Sequence, residues 1–138
     1  MALQANKELV RDMLRKAGLR PTRQRLALAG ILFSKGDRHV TAETLHEEAV
    51  ANEVPVSLAT VYNTLHQFTG AKLLREVAVE GSKTYFDTNT SNHYHFFCEH
   101  DGVLTDISVG ELAVQGLPEP PEGMDVARID VLVRLVNK

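Results

Sequence analysis

Ser57-Leu58-Ala59-Thr60-Val61-Tyr62-Asn63-Thr64-Leu65-His66-Gln67-Phe68 is the stretch whose reading decides the fold. Ser57 is a favoured helix N-cap, and Gly70 stands where a helix stops. Leu58, Val61, Leu65 and Phe68 recur at i, i+3, i+7 and i+10, which predicts one apolar helical face. Next come two short runs rich in Val, Tyr and Phe, residues 73–79 and 82–87. Glu80-Gly81 between them is a hairpin turn signal. A helix followed by a hairpin is the ending of a winged helix, whose last helix enters the major groove of DNA.

Working outward, three further helices precede this one. Residues 6–17 place Leu9, Val10, Met13, Leu14 and Ala17 on one face, and Gly18 ends the run. Thr22 caps a second helix carrying Leu26, Leu28, Ala29, Ile31, Leu32 and Phe33. Thr41 opens a third, with Leu45, Ala49 and Val50 on one side. On the other flank, residues 88–92 form a small polar linker. Strands are expected at 93–98 and 103–107, a short helix at 109–116, a stiff Pro-rich loop at 117–123, and a last strand at 127–136.

The expected class is therefore α+β. A winged helix over residues 1–88 is followed by a hinge at 89–92 and a small α/β domain at 93–138. The second domain is too small to bury a large core, so a homodimer is expected.

Composition agrees with a folded soluble chain: 43% hydrophobic and 24% charged over 138 residues. No apolar run approaches the roughly 18 residues of a membrane span, and no signal peptide opens the sequence, so a cytoplasmic protein is expected. The single cysteine, Cys98, excludes an intramolecular disulfide and any CxxC zinc site. The net charge of −3 is unevenly distributed. Residues 1–75 hold eleven Lys/Arg against seven Asp/Glu, whereas 76–138 hold four against eleven. A basic half suits a polyanion, and an acidic half suits a cation.

Arg11, Arg15, Lys16, Arg20, Arg23 and Arg25 are opposed only by Asp12. Arg20, Arg23 and Arg25 surround one helix start, where backbone N–H groups also favour phosphate. Ser57, Thr60, Tyr62 and Asn63 lie near the start of the reading helix; Asn pairs with adenine, and Tyr or Thr meets a thymine methyl. These seven residues are the candidate contacts to double-stranded DNA.

His93-Tyr94-His95 places two imidazoles on one face of a strand. Such a pair suits a transition metal (Fe, Mn or Zn) or an iron porphyrin. Asp87 and Asp106 offer hard oxygen ligands, and His39 is positioned to join them from the first half. A facial His/Asp set also occurs in iron enzymes, but no nucleophile, phosphate loop or cofactor fingerprint accompanies it here, so an enzyme is not expected.

Four blocks together carry a family resemblance: residues 18–25, GLRPTRQR; 39–43, HVTAE; 58–65, LATVYNTL; and 93–98, HYHFFC. In this order they resemble the ferric uptake regulator family over nearly the whole chain. The resemblance implies a winged helix, a dimerisation domain and metal-dependent control of transcription. It also implies an interdomain metal site at His39, Asp87, His93, His95 and Asp106. The chain departs from many members: it has no CxxC pairs, Tyr94 stands where a carboxylate is usual, and Asn63 replaces an Arg of iron-responsive relatives. The missing CxxC pairs make it similar to the iron response regulators of rhizobia. That likeness implies haem at His93 and His95, loss of DNA binding when haem binds, and control of iron-uptake, iron-storage and haem-metabolism genes. Direct response to Fe(II), Mn(II) or Zn(II) is the alternative.

Overall fold

The computed structural model describes residues 2–108 and 110–138, with the side chains of residues 2–6 left aside. The chain divides into two compact units, residues 1–90 and 91–138.

The first unit begins with helix α1, Ala2–Lys16, and helix α2, Arg23–Leu32. Gly18 stops α1 at φ 80°; Leu19 N–H then bonds Leu14 O at 2.8 Å and Gly18 N–H bonds Arg15 O at 3.0 Å. This is a Schellman stop, and the left-handed position costs least with glycine. Thr22 caps α2 through its hydroxyl, which accepts Arg25 N–H. Strand β1, His39–Val40, follows, then α3, Ala42–Ala51, capped by Thr41. Helix α4, Leu58–Gly70, is capped by Ser57, whose Oγ accepts Thr60 N–H at 3.1 Å. Gly70 is the last helical residue of α4, and Lys72, not a glycine, takes the left-handed place beyond it at φ 66°.

Strands β2, Arg75–Ala78, and β3, Thr84–Asp87, form the hairpin, with Gly81 at φ 79° in its turn. The sheet order is β1-β3-β2, all antiparallel. Periodicity did not reveal β1, because two residues have no period to read. Its register is the consequential one: His39 pairs with Asp87 and Val40 with Phe86.

The core of this unit joins Val10 and Leu14 of α1, Leu28, Ala29 and Leu32 of α2, Leu45 of α3, and Val61, Leu65 and Phe68 of α4. Burying one such side chain contributes about 1.5–3 kcal/mol. Three expected core positions lie outward instead: Leu9 is 66% exposed, Val50 61% and Leu58 37%. Leu58 is the first residue of α4, and the buried stripe begins a turn later and includes Thr64.

The second unit holds β4, Tyr94–Cys98, β5, Leu104–Ile107, and β6, Leu132–Leu135, in the order β5-β4-β6. Strand β4 is antiparallel to β5 and parallel to β6. Asp101 tightens the β4–β5 turn. Val103 N–H donates to its carboxylate at 3.0 Å, and that bond, followed by one from the Cys98 thiol, holds its pKa below the usual carboxylate value. The helix expected over 109–116 does not form: Val109 lies outside the described residues, residues 110–111 are turn, Leu112 is a single bridge residue and residues 113–116 have no regular structure. Gly110 and Gly116 interrupt that stretch with φ 98° and 75°. The last strand is also shorter than expected, four residues rather than the ten of 127–136.

Candidate metal centre and DNA-facing surface

Each unit sets histidine opposite aspartate on neighbouring strands. In the first unit His39 of β1 faces Asp87 of β3, with Nε2 3.1 Å from Oδ2. Asp87 is 1% exposed, and its Oδ1 accepts Asn89 N–H at 2.9 Å. Beyond this pair the ladder continues as Arg38 N–H to Thr88 Oγ1, 2.8 Å, and Thr88 N–H to Arg38 O, 3.1 Å. The Arg38 guanidinium grips both carboxylate oxygens of Glu48, which ties β1 to α3.

In the second unit the alternation of β4 sends His95 inward with Phe97, and His93 lies just before the strand on the same side. Both histidines are buried, at 5% and 2% exposure. Asp106 of β5 is the cross-strand partner of His95. Its Oδ1 lies 3.2 Å from His93 Nε2 and 3.4 Å from His95 Nε2. The rings of the two histidines meet edge-on at 4.5 Å.

The residues fit a cation on two counts. His93 Nδ1 sits 2.7 Å from the Ser91 carbonyl oxygen, which only accepts, so Nδ1 carries a proton. In the neutral ring Nε2 is then a bare acceptor, and it faces a carboxylate oxygen at 3.2 Å. A proton on the ring or a bound cation between the two atoms satisfies both. Second, ligands at metal bonds of about 2.0–2.2 Å lie about 3.0–3.4 Å apart in octahedral or tetrahedral arrays. The His–Asp separations of 3.1, 3.2 and 3.4 Å fall in that window. Ligand atoms of His93, His95 and Asp106 all lie within 4.8 Å of one another.

Four of the seven expected DNA-contact residues, Arg20, Arg25, Thr60 and Asn63, share one polar notch. Arg20, Thr22, Gln24 and Arg25, from the start of α2, and Thr60, Asn63, Thr64 and Gln67, from α4, line a polar notch of about 440 Å³. Arg23 is exposed at the first turn of α2. Ser57 and Thr60 are engaged with each other, Oγ to Oγ1 at 3.0 Å. Tyr62 is half-buried and donates its phenol proton to Glu43 Oε2 at 3.4 Å. Burial first, and then the Glu43 carboxylate, raise its pKa above 10.0. Gln67 was not among the expected contacts. It lies on one helical stripe with Thr60 and Asn63 and lines the same notch.

Residues 16–129 match the ferric uptake regulator family, and the chain belongs to that family. Among its relatives, the peroxide-responsive repressor PerR of Staphylococcus aureus is 36% identical over 99 residues, 72% of this chain. PerR of Staphylococcus epidermidis is 37% identical over the same share. The matched stretch spans 66% and 65% of those two proteins' lengths. Among solved structures, the ferric uptake regulator of Pseudomonas aeruginosa with manganese superposes with a TM-score of 0.70. It is 24% identical, over 94% of this chain and 98% of that one, so the likeness is one of fold. PerR from Streptococcus pyogenes, solved for peroxide sensing and gene regulation, is 28% identical with a TM-score of 0.50. That match covers 72% of this chain and 68% of that one. No helix of the described residues is long and apolar enough to cross a membrane.

Proposed function

We propose that the chain is a metal-responsive transcription regulator that binds promoter DNA as a homodimer. In this reading residues 1–88 act as a winged helix and 93–138 as the dimerisation domain. His39, Asp87, His93, His95 and Asp106 serve one divalent cation across the hinge at 89–92. The observation that carries the proposal is the pair of imidazoles turned on Asp106, with the His93 tautomer fixed by Ser91. Three nitrogens and two carboxylates form a mixed donor set that suits Fe(II) or Mn(II) better than a thiolate site would. When bound, the cation would place a positive charge between these facing nitrogen and oxygen atoms. His39 stands two residues before Thr41, the cap of α3, and α3 meets α4 through Glu43 and Tyr62. This gives the first unit a covalent and packed connection from ligand to reading helix.

The relatives named for peroxide response favour a second element, an iron-loaded form that loses DNA binding on exposure to peroxide. Haem has less to stand on. His93 and His95 are buried and committed to a common carboxylate, an arrangement suited to a small ion rather than to a flat macrocycle.

The test uses purified chelator-treated protein and a duplex selected by it from a random-sequence library in the presence of Mn(II). Affinity for that duplex is followed by fluorescence anisotropy while Mn(II), Fe(II), Zn(II) or haem is added, with peroxide as a further arm on the Fe(II) form. A gain of at least tenfold with Mn(II) or Fe(II) is expected. Metal-insensitive binding, or loss of binding driven by haem, would overturn this reading.

A further inference from the structure

Among the cations around α2, Arg25 differs in how its donors are used. Its Nε–H and Nη2–H both donate to Gln67 Oε1, at 3.2 and 3.0 Å, and Nη1–H donates to the Arg20 carbonyl at 3.0 Å. Arg25 is half-buried, whereas Arg20 and Arg23 are exposed and have the freedom of surface side chains. Three of the five guanidinium hydrogens are thus spent inside the protein. They join the loop before α2 to the exposed face of α4.

We infer that Arg25 is a positioning residue that locks the Gln67 amide on α4 as a pure hydrogen-bond donor toward DNA. Arginine has no acceptor, so Gln67 must turn its oxygen to it, and the NH₂ group is left to face the notch lined by Thr60 and Asn63. A glutamine reads adenine only by offering oxygen and NH₂ together. With Oε1 held by Arg25, Gln67 is barred from that pairing. It addresses acceptor atoms instead: O6 or N7 of guanine, O4 of thymine, or a phosphate oxygen. Asn63, one turn earlier on the same stripe, keeps both groups available in the described contacts. This deepens the DNA-binding reading and rests on it.

The experiment measures affinity against salt concentration for wild type, Arg25→Ala, Arg25→Lys, Gln67→Ala and the Arg25→Ala/Gln67→Ala double variant, all Mn(II)-loaded, on the selected duplex. Lysine keeps the charge but not the two-pronged grip. The positioning role predicts that Arg25→Lys loses about as much affinity as Arg25→Ala, roughly tenfold. The double variant should be no more than about twofold weaker than either single alanine variant, because the two changes remove one unit. The salt slope stays unchanged throughout. A phosphate contact predicts the reverse: Arg25→Lys close to wild type, Arg25→Ala with a slope smaller by about 0.9, and additive losses. That pattern overturns the inference while leaving the regulator reading intact. A folded wild type that selects no duplex overturns both. Base substitution across the duplex then separates the Gln67 partners, since a base edge gives position-specific losses and a phosphate gives none.

Discussion

His39 and Asp87 are direct cross-strand partners on β1 and β3, and their side chains meet at 3.1 Å. The same device recurs in the second unit, where His95 and Asp106 are paired across β4 and β5. Cross-strand partners have Cβ atoms only about 4.5–5.5 Å apart, so antiparallel register alone delivers a nitrogen and an oxygen to one point. Sheet register sets the geometry of these two pairs, while His93, just before β4, is oriented by the Ser91 carbonyl.

Metal should therefore stabilise the fold through these pairs. A saturating addition of Mn(II), at about 100 times its Kd, adds about 2.7 kcal/mol to stability. The melting temperature of wild type should rise accordingly. In His39→Ala at the same Mn(II) concentration most of the rise should vanish, while the variant remains folded by circular dichroism. An undiminished rise would remove His39 from the ligand set.

Helix α4 depends on its cap. Ser57 Oγ accepts Thr60 N–H at the start of α4, and alanine removes that acceptor. Ser57→Ala should lower stability to urea by about 1 kcal/mol. An unchanged midpoint would show that water satisfies this N–H equally well.

Much of the first unit was legible in the sequence. Thr22, Thr41 and Ser57 mark three helix starts, and Gly18 marks an end, because capping is local chemistry. The exposure of Leu9, Val50 and Leu58 was not legible, because periodicity ranks a face without saying how far the neighbouring elements cover it. Strand β1 is too short to show a pattern, yet its pairing with β3 sets the His39–Asp87 contact. His93 and His95 were legible from strand alternation. Their joint hold on Asp106 Oδ1 was not, since it depends on the β4–β5 register. The Arg25–Gln67 grip spans 42 positions and leaves no local trace.

Gly30 lies inside α2 with helical neighbours on both sides, and a Cβ built there meets nothing within 4 Å. Packing does not require glycine at this point, and the helix is weaker for it. Gly30→Ala should raise stability by about 0.5–1 kcal/mol in urea unfolding. A loss of stability would mean that the space beside α2 is filled in solution.

Tyr62 gives a pH signature with a defined sign. Its pKa in the folded chain is raised above 10.0 by burial and by Glu43. The unfolded chain then loses the phenol proton first as pH rises past about 10, so its contribution to stability falls above that point. Between pH 9 and 11 the wild type should lose more stability than Tyr62→Phe, which has no phenol to ionise. Parallel declines in the two proteins would contradict the assignment.

The most direct test of the central claim is duplex affinity with and without Mn(II) for wild type and for His93→Ala/His95→Ala, each shown to be folded. Metal should tighten wild-type binding at least tenfold and leave the double variant at its metal-free affinity. A double variant that still responds to Mn(II) as wild type does would contradict the account.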